Sequence, residues 1–188
     1  LNSSISGDAT LVGGRSNVAS GGCSFVGGGI CNTSSGCLSS SLGGYTNTAS
    51  GYVASTLGGW GNIASACFSS TLGINSCAYL YGQNALSSGQ FSITGDAQSS
   101  TLINRRSSSS VATGGTFVLS LDGTGTTNLI IPPSGKSWAI KVQYVARVVG
   151  ISGTATGLTV GDTKTQTQEI GIKNIAGVTS ILYGSPNN

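Results

Sequence analysis

The chain has 188 residues, of which 31 are glycine and 32 serine, while charged residues make up only 7% and the formal net charge is +3. Histidine is absent, which excludes a Ser-His-Asp or Cys-His triad and any histidine-bearing zinc site, and five carboxylates in all leave few candidates for an acid/base pair. The eight basic residues form no dense block, so nucleic acid finds no electrostatic footprint, and no apolar run approaches the roughly 18 residues of a membrane-spanning helix.

The chain begins at Leu1 and contains no Met; the expectation is a fragment or processed piece of something longer. Charge divides it. Between Arg15 and Asp96 lie 80 residues without a charged side chain, whereas ten of the thirteen charges lie from Arg105 onward. A repeat region over 1–104, a polar linker over 105–113 (Arg105, Arg106 and the serine run Ser107 to Ser110) and a second module over 114–188 follow from this shift in composition.

The first region repeats. Asn17, Asn32, Asn47 and Asn62 recur every 15 residues, as do Ala19, Ser34, Ala49 and Ala64, and then Gly21, Gly36, Gly51 and Ala66. Helical repeats need about 30 residues or more per unit, and Gly, Ser, Thr and Asn are poor helix formers. A 15-residue unit suits one coil of a β-solenoid, with two short strands and two tight corners. Glycine accepts positive φ at a corner and asparagine tolerates it. The structural repeat positions are therefore Gly13, Asn17, Gly28, Asn32, Gly43, Asn47, Gly58, Asn62 and Gly73. Ala19, Ser34, Ala49 and Ala64 are predicted to face a tight interior. Val12, Val26, Leu42, Leu57 and Leu72 are predicted to form an apolar stripe, with Leu11, Phe25, Val53 and Phe68 as a partial second row. One row per coil buries little surface, so the stack is expected to cover a seam against copies of itself. A parallel homotrimer presents identical rows to each other.

The segment Ser41-Leu42-Gly43-Gly44-Tyr45-Thr46-Asn47-Thr48-Ala49-Ser50-Gly51 resembles the repeat of trimeric autotransporter adhesin heads, a left-handed β-roll, and so does Leu72-Gly73-Ile74-Asn75-Ser76-Cys77-Ala78. The same repeat occurs in phage tail fibres. The likeness covers about residues 6–100, and its departures are the doubled glycines, the many serines and a shortened coil around Gly82-Gln83-Asn84-Ala85, which would interrupt the stack near residue 80.

Past the linker, alternation replaces the period. Trp138, Ile140, Val142, Tyr144, Ala146 and Val148 share one face of a long predicted strand. Phe117–Leu121 and Leu129–Ile131 are shorter predicted strands around an Asp122-Gly123 turn. Pro132-Pro133-Ser134-Gly135 breaks the chain, and strands are expected again over Thr163–Ile172 and Val178–Tyr183. The expected fold class is all-β: a trimeric β-solenoid followed by an antiparallel β-sandwich or jelly-roll-like module, the latter incomplete as given. The order Ser92-Ile93-Thr94-Gly95-Asp96-Ala97-Gln98, a basic pair, Leu121-Asp122-Gly123 and Trp138 to Arg147 is similar to a C-terminal module that follows repetitive shafts in phage tail fibres and tail spikes.

The chemistry-bearing residues are sparse. Cys23, Cys31, Cys37, Cys67 and Cys77 include no Cys-x-x-Cys pair, so they read as fillers of small apolar slots, with interchain disulfides as the alternative. Gly27-Gly28-Gly29 lacks the strand–loop–helix context of a phosphate loop. Asp96 and Asp122 read as a coil end and a turn, since nothing brings them to glycosidase separation. Tyr45, Tyr52, Trp60 and Tyr79, on a charge-free surface, are the candidate glycan-stacking residues, Trp60 outward after Gly59. No metal, cofactor or catalytic residue is expected. The resemblance implies a non-enzymatic virion fibre: a homotrimer at the virion surface, joined to other fibre or baseplate proteins. It would attach to a host-surface polysaccharide without binding nucleic acid or entering a membrane. The alternatives are a bacterial trimeric adhesin head and, third, a tail-spike-type glycan depolymerase.

Overall fold

The structure is a computed structural model that describes residues 3–6, 8–11, 13–105, 120–124, 127–132, 134–147, 160 and 162–186. All regular structure among them is β. The chain forms two compact units, Leu1–Ser107 with Phe117–Leu129, and Ser108–Thr116 with Ile130–Asn188. The expected linker falls outside the described residues from 106 onward. The described part of 120–129, expected with the second module, groups with the repeat unit.

The repeat unit is a β-solenoid. One parallel sheet stacks β1 (Ser4–Ile5), β3 (Val18–Ala19), β5 (Thr33–Ser34), β7 (Thr48–Ala49), β9 (Ile63–Ala64) and β11 (Cys77–Ala78). The other stacks β2 (Thr10–Leu11), β4 (Phe25–Val26), β6 (Ser40–Ser41), β8 (Ser55–Trp60), β10 (Ser70–Ile74) and β12 (Asn84–Ser88), and closes with β13 (Gln98–Thr101), which runs antiparallel to β12. Each coil thus contributes one strand to each sheet. The register is in steps of 15 residues, for example Thr33↔Thr48 and Ser40↔Ser55.

The step is 14 between the first two coils, where Ser4 pairs with Val18, and drops to 14 again toward the C-terminal end, earlier than expected. Thr71 pairs with Thr56 but Gly73 with Gly59, so Leu72 alone faces Leu57 and Gly58, a bulge that absorbs the missing residue. The stack is not interrupted near residue 80: Ser70 to Ile74 pair with Asn84 to Ser88 without a break.

The corners explain the composition. Ser16, Cys31, Thr46, Gly61 and Asn75 hold φ between 54° and 67°, and so do Cys23, Leu38, Val53, Phe68 and Gly82 at the other bend. The doubled glycines have separate tasks. A Cβ on the second of each pair would sit inside the next coil: on Gly44 it would lie 2.2 Å from the Gly59 carbonyl oxygen, and on the single Gly73, level with Gly59, it would lie 1.9 Å from that of Ser87. The first members, Gly13, Gly28 and Gly58, meet nothing within 4 Å. Of the glycines picked from the sequence, only Gly73 is therefore a close-approach position, because the 14-residue step brings it level with Gly59.

Asn17, Asn32, Asn47 and Asn62 form the expected column, each fully buried. Each side-chain amide joins three coil segments. Asn47 Nδ2 donates to Gly43 O (2.8 Å) in its own coil and to Gly59 O (3.0 Å) in the next, while its Oδ1 accepts from the Asn62 amide at 3.0 Å. Ser76 ends the column by donating both its amide (2.9 Å) and its hydroxyl (2.7 Å) to Asn62 Oδ1. Ala19, Ser34, Ala49 and Ala64 lie inside, as predicted. Much of the remaining interior is polar: Ser24, Ser39, Ser41, Thr56, Ser69 and Thr71 are buried as well. A coil this narrow has room for little else: Thr56 Oγ1 donates to Ser41 Oγ (2.8 Å) and Ser69 Oγ to Ala66 O (2.7 Å), which offsets their burial, whereas Ser24 Oγ, Ser39 Oγ and Thr71 Oγ1 are buried with no hydrogen-bond partner among the described residues.

The predicted apolar stripe is wrong in its alignment. Val26 is level with Ser41 and Thr56 and fully buried, whereas Leu42 is level with Gly27 and 53% exposed. Leu57, Leu72 and Leu86 are exposed too. The pre-glycine residue fell in two different columns because Gly27-Gly28-Gly29 carries one glycine more than the other coils. Val12 lies outside the described residues. In the second row, Leu11 and Phe25 are half-buried, but Val53 and Phe68 stand at the corner, exposed.

The second unit contains an antiparallel three-stranded sheet, β14 (Ser137–Arg147), β15 (Thr163–Ile175) and β16 (Val178–Pro186), in that spatial order. Trp138, Ile140 and Val142 are half-buried between exposed Ala139, Lys141 and Gln143, the alternation the sequence predicted, but it does not extend to Ala146, which is exposed like Val145 and Arg147, and Val148 lies outside the described residues. Asn174 ties the preceding turn to β15. Its Nδ2 donates to Pro132 O, and its backbone exchanges bonds with Gly135 and Lys136. The predicted strand at Leu129–Ile131 is not one, and Ser120 pairs with Arg105 in an isolated β-bridge rather than in a strand; residues 117–119 lie outside the described residues.

Candidate functional site

The residues after the second glycine of each coil form an outward column: Arg15, Ile30, Tyr45 and Trp60 are bridged in sequence, and Ile74 continues them. Stacking the coils therefore brings Tyr45 and Trp60 together. Their ring centroids are 6.4 Å apart at 54°, with the residues 48% and 53% exposed. A tilted, half-exposed pair on adjacent coils is held at fixed spacing by the backbone ladder. It presents apolar faces beside a phenol hydroxyl and an indole N–H.

Tyr52 is not part of that pair. It stands at the other bend, edge-on to Phe68 (5.6 Å, 86°), which in turn meets Tyr81 at 5.3 Å. The sequence reading missed Phe68 as the joining ring. Its signal was the position one residue after the Tyr52/Cys67 column, now seen to be a corner that points outward. Tyr79 is at a third place, half-buried on the sixth coil, its backbone N–H donating to Gln83 Oε1. Burial, and secondarily the Cys77 thiol, pushes its phenol up to about 12.

The cysteines do not fill interior slots. Cys23, Cys31, Cys37 and Cys67 are exposed and Cys77 intermediate, and all five are free thiols. They occupy outward corner or strand positions, because the interior there is taken by Asn, Ala and Ser. Burial raises the Cys77 thiol pKa. Among the described residues no group of three or more His, Cys, Asp or Glu could hold a metal ion.

Both aspartates serve local structure. Asp96 accepts the amides of Phe91 (2.9 Å), Ser92 (2.7 Å) and Ile93 (2.9 Å). Asp122 closes the predicted turn, accepting bonds from Thr127, Asn128, Ser120 and Thr124. Those bonds, Thr127 first, hold its carboxyl well below the usual carboxylate range, so Asp122 has no proton to give at neutral pH. No helix of the described residues is long and apolar enough to cross a membrane.

No family model, no curated protein and no solved structure is found to match this chain.

Proposed function

We infer that the chain is an attachment fibre of the kind carried by phage virions, a parallel homotrimer of β-solenoids that binds a host-surface glycan and catalyses no reaction. The observation that carries this reading is the Tyr45–Trp60 pair. It is an outward aromatic platform on a rigid coil stack, in a stretch without a single charged side chain between Arg15 and Asp96. Sugar rings stack on such faces while their hydroxyls bond the surrounding Ser, Thr and Asn groups. The exposed column Leu42, Leu57, Leu72 and Leu86 supports assembly, because sister chains stacked in the same register offer each leucine an identical partner. Three weak sites held together then give firm attachment through effective concentration. A bacterial trimeric adhesin head would use the same coils. The Gly95-Asp96-Ala97-Gln98 order followed by a β module favours the fibre.

The test is binding of the chain to a panel of bacterial surface polysaccharides, beside variants Tyr45→Ala and Trp60→Ala. Loss of roughly tenfold or more in affinity in each variant, with unchanged circular dichroism, is expected for a stacking platform. Parental binding by both variants refutes the site, and release of new reducing ends refutes the non-enzymatic reading.

A further inference from the structure

A parallel stack has to end, and its last coil faces the problem of every sheet edge: backbone donors and acceptors with no next strand. The bonds that pass from coil to coil define what is missing. The amides of Val18, Thr33, Thr48 and Ile63 donate to Asn32 O, Asn47 O, Asn62 O and Ser76 O of the following coil, at 2.8–2.9 Å. The pairs Ser20/Gly21, Ser35/Gly36, Ser50/Gly51 and Ser65/Ala66 each send two amides to one carbonyl of the following coil, namely that of Ser34, Ala49, Ala64 and Ala78. In the sixth coil the corresponding donors are Cys77, Tyr79 and Leu80, and no further coil receives them.

Two side-chain amides stand in for that coil. Gln98 Oε1 accepts the Cys77 amide at 2.7 Å, and Gln98 Nε2 donates to the Cys77 carbonyl at 2.8 Å. These are the two bonds a parallel neighbour makes to one residue of a strand. Gln83 Oε1 accepts both Tyr79 N (2.9 Å) and Leu80 N (3.0 Å), the same paired reception that each following carbonyl gives lower in the stack. The Ser100 hydroxyl accepts from Nε2 of both glutamines, at 2.8 and 3.1 Å, which fixes the orientation of each amide.

The segment that carries Gln98 is shaped for this contact. Gly95 has φ +85°, and a Cβ on it would lie 2.7 Å from that of Cys77. The Asp96 carboxylate gathers three successive amides and turns the chain. Ala97 O accepts from Ser87 Oγ at 2.9 Å, and β13 then runs against β12 and covers the second sheet.

We propose that residues 89–101 are a terminator of the solenoid. They occupy the end of the sixth coil in cis, with Gln98 and Gln83 as positioning residues that imitate a further coil, and so keep that edge from pairing with the coils of a second copy of this chain. The motif Gly95-Asp96-Ala97-Gln98 is thereby a cap, and the latent surface beneath it is a strand-docking edge.

The experiment is Gln98→Ala in the full chain, with Ser100→Ala as a milder second variant. It reads amide hydrogen exchange residue by residue and size by sedimentation velocity over a concentration series. In Gln98→Ala the Cys77 amide is expected to exchange roughly tenfold faster while Ile63 stays protected. Species larger than the parent's are expected to appear and grow with concentration. A Cys77 amide at the parental rate, or parental size at every concentration, overturns the proposal. If Ile63 also loses protection in Gln98→Ala, the same two readings on Ser100→Ala decide, because that variant removes only the shared acceptor.

Discussion

The two glycines of each pair look alike in the sequence and differ sharply in the structure, so exchanging each for alanine separates backbone strain from contact between coils. In Gly44→Ala the new Cβ lies 2.2 Å from Gly59 O, 2.8 Å from Asn47 Nδ2 and 2.9 Å from Gly59 N, at φ +89°. In Gly43→Ala the nearest atom is 3.9 Å away, at φ +151°. Both variants incur the cost of an L-residue at positive φ, about 1–2 kcal/mol. Only Gly44→Ala also forces the coils apart. That strains two bonds to Gly59 O, from Tyr45 N at 2.9 Å and from Asn47 Nδ2 at 3.0 Å, each worth about 1 kcal/mol net. The expected losses are therefore roughly 3–4 kcal/mol for Gly44→Ala and about half that for Gly43→Ala. Against a domain stability of about 5–15 kcal/mol, the difference is easily read. Urea unfolding followed by far-ultraviolet circular dichroism should place the Gly44→Ala midpoint about 1 M below that of Gly43→Ala. Equal midpoints would show that the close approach across the corner is not what holds consecutive coils in register.

Two titrations follow. Tyr79 should ionise near pH 12, above its ordinary 10.0, and appear in a tyrosinate absorbance titration as a late component. Because the folded state keeps that proton longer than the unfolded one, stability is unaffected below pH 10 and falls between there and 12. Loss of the late component in Tyr79→Phe assigns it, and its persistence refutes the assignment. For Asp122 the sign is opposite. Its carboxyl is depressed from 3.8, so its hydrogen bonds contribute above that value and are lost as the pH falls through the folded pKa. Carboxyl NMR should find Asp122 still ionised at pH 3.8, and half-protonation there would contradict the turn geometry.

How much of this was legible follows from which physical effects repeat. The asparagine column was readable because each Asn makes the same three-way bond once per coil, and one residue type alone fits that task. The long alternation from Trp138 to Val142 was readable for the same reason at period two. What failed was alignment within the coil. Val26 and Leu42 both precede a glycine, yet one is buried and the other exposed, since an extra glycine in one coil shifts the pattern by one residue and one residue in a strand reverses the face. The corner conformations were half visible. Glycine announces positive φ at Gly61 and Gly82, but the repeated Asn17, Asn32, Asn47 and Asn62 do not hold it; the residue before each does, and at the other bend the stack imposes it on Leu38, Val53 and Phe68. Of the cap, only Asp96 was readable, as a coil end; the parts played by Gln83 and Gln98 were not, because each acts once, against residues that only folding brings near.

The distribution of side chains across the coil wall carries the last argument. Inside, Asn, Ser and Thr fill most positions. Outside, Leu42, Leu57, Leu72 and Leu86 stand in one column, each 43–54% exposed. The coils are thus held chiefly by ladder and side-chain hydrogen bonds, and the largest apolar contribution still open to this unit lies on its surface. Covering the exposed half of a leucine adds roughly 1 kcal/mol, so the column contributes several kcal/mol per chain if a sister chain covers it. The double variant Leu57→Ser/Leu72→Ser should therefore keep the circular dichroism of the coils and lose assembly. Light scattering should give a parental mass near three times 18.6 kDa, and the variant should need at least about tenfold more protein to reach it. A monomeric parent, or a variant that assembles as the parent does, would mean that the leucine column is not the seam and that the coil stack stands without one.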